Sequence, residues 1–284
     1  MKTEREGAPW RFLPIAALAS LTLYICAMIS IMDTQGGTNI KSLLKRHPRN
    51  TVLTAGQMLA YGISRELQRS FFRSGWLKRI GPGAYTVLDE AVSLDGALHA
   101  LQASLGQSVH LGGYTALSER YGKTHNLSLE RVSELFAGRG EKLPSWFRSN
   151  YGSDCLVAFS SFLPAKLGLV DFDAGGFSVK ISTLERAMLE MLYLVPARHT
   201  LREAYQILEL LTSVKPVVVQ ELLERCSSVK VKRLFLYMCE RAGHAWLPRI
   251  DPSRVDLGSG LREIEKGGKL VKRYGIVVGD LGEI

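Results

Sequence analysis

Between residues 40 and 74, apolar positions recur at the three- and four-residue spacing of amphipathic helices. A first short helix is predicted to end before Pro48, because proline disfavours helical backbone in the residue that precedes it. Thr54 and Ser64 stand where side chains would cap a second and a third helix, and Gly62 suits the tight turn between them. The pattern therefore predicts three short helices in succession. In the third, the face predicted to point inward carries Ile63, Leu67, Ser70, Phe71 and Ser74.

After Gly75 the helical spacing gives way to two short runs that are rich in β-branched and aromatic residues. The runs 76–80 and 84–87 flank the sequence Gly81-Pro82-Gly83, which is typical of a tight turn. Two β-prone runs around such a turn predict a hairpin. Three helices followed by a hairpin indicate a winged helix-turn-helix domain over residues 39–89.

The other face of the third helix is polar and basic. An arginine can grip the O6 and N7 atoms of guanine with its planar fork, and a glutamine can pair with N6 and N7 of adenine. Two further basic residues at the base of the hairpin suit phosphates or a minor groove. Phe72 also falls near this side, and the pattern gives no reason for it. The predicted DNA-binding residues are Ser64, Arg65, Gln68, Arg69, Arg73, Lys78 and Arg79.

Charge is concentrated in the same stretch. Residues 40–88 contain nine basic residues and one acidic residue, Glu66, so they account for nearly all of the whole-chain net charge of +9. An excess this local indicates a polyanionic partner, with nucleic acid favoured over an anionic membrane. A merely solvated helix face and a winged helix that binds protein are the alternatives.

Residues 90–284 predict a second, larger domain of mixed character. Its β-prone runs are 156–159, 167–170, 177–182 and 269–278. Its helical runs are 183–192, 201–211, 217–225 and 229–242. The predicted fold class is therefore α+β: a winged helix-turn-helix domain followed by a larger α+β domain with a small sheet and several helices.

Residues 1–38 form a hydrophobic lead. The 21 residues from Phe12 to Met32 carry no charge, which is enough for a helix to cross a bilayer. One interpretation is a membrane anchor. The interpretation we favour is that translation begins at Met32, because nothing later in the chain is built for a membrane. The protein is then expected in the cytoplasm. If residues 12–32 are translated and inserted, it would instead be an inner-membrane-tethered interaction module whose basic stretch meets anionic lipid.

Catalytic and metal sites find little support in the sequence. Gly152-Ser153 followed by Asp171 and Asp173 imitates the motif with which nucleotidyltransferases hold magnesium. The aspartates, however, run into Gly175-Gly176, which is typical of a hairpin turn. The six histidines and four cysteines are scattered, without the spacing of a metal site or a disulfide framework. We predict that the protein is not an enzyme and that it binds no metal and no cofactor. The alternative is a nucleotidyltransferase that uses Asp171 and Asp173.

Several short motifs follow one another along residues 40–280. They are Gly62-Ile63-Ser64-Arg65, Arg73-Ser74-Gly75-Trp76-Leu77, Gly83-Ala84-Tyr85, Gly112-Gly113-Tyr114-Thr115-Ala116-Leu117, Ser182-Thr183-Leu184-Glu185-Arg186-Ala187 and Lys266-Gly267-Gly268-Lys269-Leu270. Each is weak alone. In this order they resemble the AbiEi-type antitoxins of type IV toxin–antitoxin systems.

The resemblance implies a function for each domain. The winged domain would bind inverted repeats in double-stranded DNA of its own promoter and repress the operon. Residues 90–284 would be the antitoxin domain, which counters a cognate nucleotidyltransferase-like toxin without being an enzyme. Candidate residues for toxin contact, or for a second DNA-contacting patch, are Lys230, Lys232, Arg233, Lys266, Lys269, Lys272 and Arg273. An ordinary solvated surface is the alternative for this group.

Overall fold

The computed structural model describes residues 40–123 and 132–281. The predictions made for residues 1–38, including the start at Met32 and the anchor at residues 12–32, lie outside the described residues. Within the described ranges, no helix is both long and apolar enough to cross a membrane.

The basic stretch folds as a winged helix-turn-helix unit. Its elements are α1 Ile40–Arg46, β1 Leu53–Thr54, α2 Ala55–Ala60, α3 Arg65–Arg73, β2 Leu77–Gly81 and β3 Ala84–Val87. Both predicted N-caps are confirmed, since Thr54 Oγ1 accepts the N–H of Gln57 at 3.1 Å and Ser64 Oγ accepts that of Leu67 at 3.3 Å. The predicted hairpin of β2 and β3 is also confirmed. The sequence missed β1, which pairs antiparallel with β3 and adds a third strand.

A small apolar core holds α3 against this sheet. It consists of Leu43, Leu53, Met58, Ile63, Phe71 and Leu77. The buried face of α3 is rotated from the predicted one, because Ser70 and Ser74 are exposed and Gln68 is buried instead. Around a helix, Gln68 lies about 60° from Phe71 whereas Ser70 lies about 100° from it, so the glutamine is nearer the core side.

A five-stranded mixed sheet lies at the centre of the larger unit. Its strands are β4 His110–Leu111, β5 Ser133–Ala137, β6 Cys155–Phe159, β7 Leu169–Asp173 and β8 Ser178–Ser182, in the order β6-β5-β4-β8-β7. The helices around it are α4 Leu94–His99, α5 Gly113–Thr115 and α6 Ser145–Tyr151, and α4 and α5 continue as wider π-helical turns. The three predicted runs correspond to β6, β7 and β8, and β7 and β8 form the expected antiparallel hairpin. Strands β4 and β5 were missed.

Helices dominate the last third of the chain. They are α7 Leu184–Leu194, α8 Leu201–Glu209, α9 Pro216–Arg225 and α10 Val229–Ala242. A small sheet follows, in the order β10-β11-β9, from β9 Arg262–Glu263, β10 Lys269–Val271 and β11 Ile276–Val278. The single strand predicted at 269–278 is therefore two strands, because a turn at Lys272 reverses the chain between them. The four predicted helices and the α+β class are confirmed.

The winged unit is packed directly against the larger unit. Val52 and Ala84 are buried in a core that also includes residues of α4 and the five-stranded sheet. At the end of β2, a Cβ on Gly81 would lie 2.5 Å from the Cβ of Trp146 on α6, so glycine is required for this approach. Asn150 of α6 donates from Nδ2 to the carbonyl of Ile80 at 3.0 Å. The hairpin is therefore fastened to α6.

Candidate nucleic-acid interface

Three arginines form the outward side of α3. Arg65, Arg69 and Arg73 are exposed, and no carboxylate in the described part of the chain lies within ion-pair distance of any of them. Glu66 is exposed on the same helix. Its own backbone N–H and the Ser64 hydroxyl lower the pKa of its carboxyl group, and the charges of Arg69 and Arg65 lower it further. The helix thus presents three guanidinium groups that have no ion-pair partner among the described residues, beside one ionised carboxylate.

The other basic residues of this unit are equally accessible. All nine basic side chains of residues 40–88 are exposed: Lys41, Lys45, Arg46, Arg49, Arg65, Arg69, Arg73, Lys78 and Arg79. The charge excess of the sequence is therefore a surface property of the folded unit. A surface of this kind attracts phosphates over distances near the Debye length.

Gln68 does not belong to this surface, so its prediction as an adenine-reading residue is wrong. Its side chain is 5% exposed. Its Nε2 donates to the carbonyls of Ile63 at 3.1 Å and Ala55 at 3.3 Å. The amide satisfies two main-chain acceptors at the turn between α2 and α3, and it has no donor left for a base edge.

The two basic residues of the wing point to opposite faces of the hairpin. Arg79 lies opposite Tyr85 and Lys78 lies opposite Thr86, and directly paired residues share a face. Tyr85 packs on the core of the winged unit, on the side of α3, whereas Thr86 is on the other face. Both basic residues are exposed, but Arg79 alone shares the side of α3. Its Nε donates to the carbonyl of Gly81 at 3.2 Å, which steadies the guanidinium group.

Asp171 and Asp173 have ordinary structural partners. Lys180 Nζ lies 2.6 Å from Asp171 Oδ1 across the β7–β8 hairpin. Asp173 Oδ1 accepts the N–H of Gly175 at 3.0 Å in the hairpin turn. Among the residues described, no three His, Cys, Asp or Glu side chains are grouped to hold a metal ion. A cross-strand ion pair accounts for Asp171, and hydrogen bonding within the hairpin turn accounts for Asp173.

Three cysteines lie in the described ranges, and all are free thiols. Burial raises the pKa of Cys155 to about 11, with a further contribution from Asp154. Burial also raises the pKa of Cys226 and of Cys239. None has the lowered pKa that a reactive thiol needs.

The larger unit contains a buried polar network that the sequence analysis did not predict. Glu190 on α7 is fully buried, and its Oε1 lies 2.9 Å from His110 Nε2 and 2.7 Å from Arg186 Nε. Its Oε2 accepts from the Ser182 hydroxyl at 2.6 Å and from the N–H of Gly113 at 3.1 Å. Burial by itself would raise the pKa of this carboxyl group, but the charges of His110 and Arg186 outweigh it and lower the pKa to about 2.

A second buried pair lies beside this network. Glu134 Oε1 is 2.6 Å from His199 Nε2, and Glu134 Oε2 accepts the N–H of Tyr114 at 2.7 Å. The two carboxylates occupy the space in front of Gly112 and Gly113, where a Cβ would collide with them. The absence of side chains at Gly112 and Gly113 thus leaves the space in which the carboxylates of Glu190 and Glu134 lie. No sequence signal connects these residues, because the partners are up to 80 positions apart.

Comparison with known proteins places the chain in a family. A family model described as "Transcriptional regulator, AbiEi antitoxin, Type IV TA system" matches residues 130–279. Its N-terminal counterpart, "Transcriptional regulator, AbiEi antitoxin N-terminal domain", matches residues 36–129. The chain belongs to the AbiEi antitoxin family. The family resemblance inferred from the motifs is thereby confirmed, and the family is one of transcriptional regulators.

Other comparisons bear on the fold of this AbiEi-family chain. The crystal structure of the RV2827C protein from Mycobacterium tuberculosis superposes with a TM-score of 0.52. The match covers 84% of this chain and 89% of that chain at 14% sequence identity, which indicates a shared fold. No curated protein matches the chain.

Two of the basic residues proposed for toxin contact in this AbiEi-family chain are buried, so the prediction is wrong for Lys232 and Arg233. Arg233 is 4% exposed, and its guanidinium group donates to four main-chain carbonyls. The acceptors are Leu257 at 2.8 Å, Gly258 at 3.1 Å, Gly260 at 2.6 Å and Gly275 at 3.0 Å. Lys232 is buried, and Lys230 donates from Nζ to the carbonyls of Tyr193 and Val195 while burial lowers its pKa. Lys232 and Arg233 face inward because α10 is packed on most of its circumference, whereas Lys230 in its first turn is only partly buried.

The C-terminal group of basic residues stays on the surface of the AbiEi fold. Lys266, Lys269 and Lys272 are exposed around the small C-terminal sheet. Arg273 is exposed too, but it is paired with Glu240 of α10. The lysines are therefore the part of the proposed contact group that the fold leaves accessible.

Proposed function

We propose that this AbiEi-family regulator represses its own promoter by inserting α3 into the major groove of inverted repeats, one copy on each half-site. The observation that carries the proposal is the exposed arginine face of α3, which no carboxylate in the described part of the chain neutralises by an ion pair. Arg65, Arg69 and Arg73 supply donors for guanine edges, and Arg79 of the wing supplies a phosphate contact on the same side. The cation-rich surface around α3 draws the unit to duplex DNA, and bound repressor excludes polymerase.

The test is footprinting on the DNA upstream of the gene, together with a binding titration against a shuffled duplex of equal length. The protein should protect two related segments, and Arg65→Ala and Arg69→Ala should weaken binding to them more than binding to the shuffled duplex. Arg148→Ala is a matched control, because Arg148 is an exposed arginine of α6 outside the winged unit. Equal affinity for both duplexes, without protected bases, would contradict the proposal.

The larger unit is proposed to oppose a nucleotidyltransferase-like toxin encoded beside this gene, in the cytoplasm. The family description supports an antitoxin role, and the exposed Lys266, Lys269 and Lys272 are the proposed contacts. Co-expression tests this part: the full chain should restore growth to cells that express the neighbouring reading frame, and a triple Lys→Ala variant should restore less. If the triple variant folds normally and protects as well as the unchanged chain, those lysines are not the contact.

A further inference from the structure

Phe72 is the one large apolar side chain on the outward side of α3. With 3.6 residues per turn, it lies about 20° from Arg65 and about 60° from Arg69 around the helix axis. Its side chain is 47% exposed, whereas that of its neighbour Phe71 is 4% exposed and fills the core. The fold therefore uses Phe71 for packing and leaves half of Phe72 in solvent among the guanidinium groups.

The ring of Phe72 is held in a defined place. It meets the ring of Tyr85 edge-on, with centroids 6.5 Å apart and planes at 61°. Tyr85 is partly buried on β3 and stands opposite Arg79 of β2. The ring consequently sits in the corner between α3 and the wing. It is bordered by cations on the helix and by a cation on the hairpin.

That position restricts the kind of partner the ring can serve. The surrounding cations require an anionic partner, and the proposed partner is duplex DNA. Phosphates and most base edges present only polar atoms, which make no favourable apolar contact with a phenyl ring. The C5-methyl group of thymine is the apolar group that a base pair displays in the major groove, and apolar side chains, including phenylalanine, contact it.

On this basis, and resting on the proposed function, we infer that Phe72 is a specificity-determining residue that contacts the C5-methyl group of a thymine in each half-site. The thymine lies next to the bases that Arg65 and Arg69 face. The reading surface of α3 then combines polar recognition by arginine with apolar recognition by Phe72. Tyr85 supports the ring from the wing side and keeps it directed at the groove.

The experiment compares two versions of the upstream DNA, made by polymerase extension with either dTTP or dUTP. Uracil has the same hydrogen-bonding atoms as thymine and differs from it only in lacking the C5-methyl group. The unchanged protein should bind the uracil duplex about fourfold more weakly for each contacted methyl, the effect of removing one buried methyl-sized group. Phe72→Ala should bind both duplexes alike, at about the affinity of the unchanged protein for the uracil duplex.

A scan with the unchanged protein locates the contact without relying on any variant. Single thymine-to-uracil substitutions are placed through one protected segment, and one or two positions should account for the whole loss. Leu270→Ala is the control variant, because Leu270 is 50% exposed and lies outside the winged unit. It should keep the preference for thymine. Thermal unfolding of each protein checks that the variants are folded.

The outcomes separate this inference from the proposed function. Preferential binding of the upstream DNA with no preference for thymine over uracil would overturn the inference and leave promoter binding intact. An equal loss of affinity on both duplexes with Phe72→Ala would also overturn it, because the ring would then only support the fold of the wing. Absence of any preference for the upstream DNA would reject the proposed function, and the inference with it.

Discussion

Gln68 and Arg69 are neighbours in the chain and have opposite surroundings. Gln68 is buried with its amide bonded to two carbonyls, and Arg69 is exposed with no carboxylate at ion-pair distance among the described residues. We predict that Gln68→Ala lowers the free energy of unfolding by about 1–3 kcal/mol, because the carbonyls of Ala55 and Ile63 lose their donor. Denaturant titration measures it. An unchanged midpoint would show that water replaces the amide at no cost.

Arg69→Ala should behave in the opposite way. The free energy of unfolding should stay within about 0.5 kcal/mol of that of the unchanged protein, since exposed substitutions away from special features are nearly neutral. Binding to the specific DNA should weaken by about 1–3 kcal/mol if the guanidinium group grips a base, with relaxed preference at one position. Titrations against duplexes substituted at single positions measure this. A loss that is the same for every sequence would instead assign Arg69 to a phosphate.

The paired strands give a matched test of the wing. Arg79 and Lys78 are adjacent, equally charged and exposed, and lie on opposite faces of β2. Arg79→Ala should weaken binding to all sequences and reduce the slope of log affinity against log salt by about 1, as expected for one lost phosphate contact. Lys78→Ala should change the slope less. Equal changes would mean that both faces of the wing reach the DNA.

Sequence periodicity explains part of this picture at the scale of single residues. It separated Phe71 from the arginines, because a helix repeats every 3.6 residues. It could not separate Gln68 from Arg69, because both are polar and the acceptors that bury Gln68 come from a turn whose geometry appears only in the fold. The same limit applies to Lys78 and Arg79, whose faces depend on the register with β3.

At the scale of elements, α10 shows how a charged segment can be internal. Its sequence reads as a basic helix, yet Arg233 ties together the loops before β9 and before β11. We predict that Arg233→Met lowers the free energy of unfolding by about 3 kcal/mol, because four main-chain carbonyls lose a charged donor whose own side chain is buried. Lys269→Met, at an exposed site, should leave the midpoint nearly unchanged. Thermal unfolding followed by circular dichroism compares them. Similar midpoints for the two variants would contradict the internal role of Arg233.

Helices were predictable where caps and spacing agree. Thr183 and Thr200 both cap the helices that follow them, and the α7 and α8 runs were found within a few residues. Strands β4 and β5 were not found. β4 has only two residues, and β5 carries Glu134, a charged residue that is buried because His199 and the Tyr114 N–H satisfy it. A long-range partner of this kind leaves no mark in the local pattern.

At the scale of the whole molecule, Glu190 makes stability depend on acidity. The pKa of Glu190 is lowered to about 2 in the folded protein, and in the unfolded chain it returns to its ordinary value of about 4.3. The unfolded state therefore takes up the proton first as the pH falls. The stabilisation is fully present above about pH 4.5 and is lost progressively as the pH drops toward 2, by about 2–3 kcal/mol in all.

The control for this prediction is Glu190→Gln, which cannot ionise. Its overall stability should be lower because His110 and Arg186 lose their buried partner. Its unfolding free energy should also fall less steeply than that of the unchanged protein between pH 4.5 and pH 2. Denaturant titrations at several pH values in this window measure both. Identical slopes would show that other carboxylates dominate acid unfolding.

The concentration of positive charge in residues 40–88 can be read from the sequence, but the contact between the winged unit and the larger unit cannot. Local counting is enough to find the basic stretch, because nine cations and one acid fall within it. The contacts between β2 and α6 involve Gly81 and Trp146, which are unremarkable residues far apart in the chain. Their meeting depends on the complete tertiary arrangement.

That junction has a consequence for the geometry of repression. In the proposed complex, the packing of the hairpin against α6 would hold the larger unit at one orientation relative to the duplex axis. The larger unit would then block base pairs beyond those that α3 contacts, on a side that the orientation of each repeat would set.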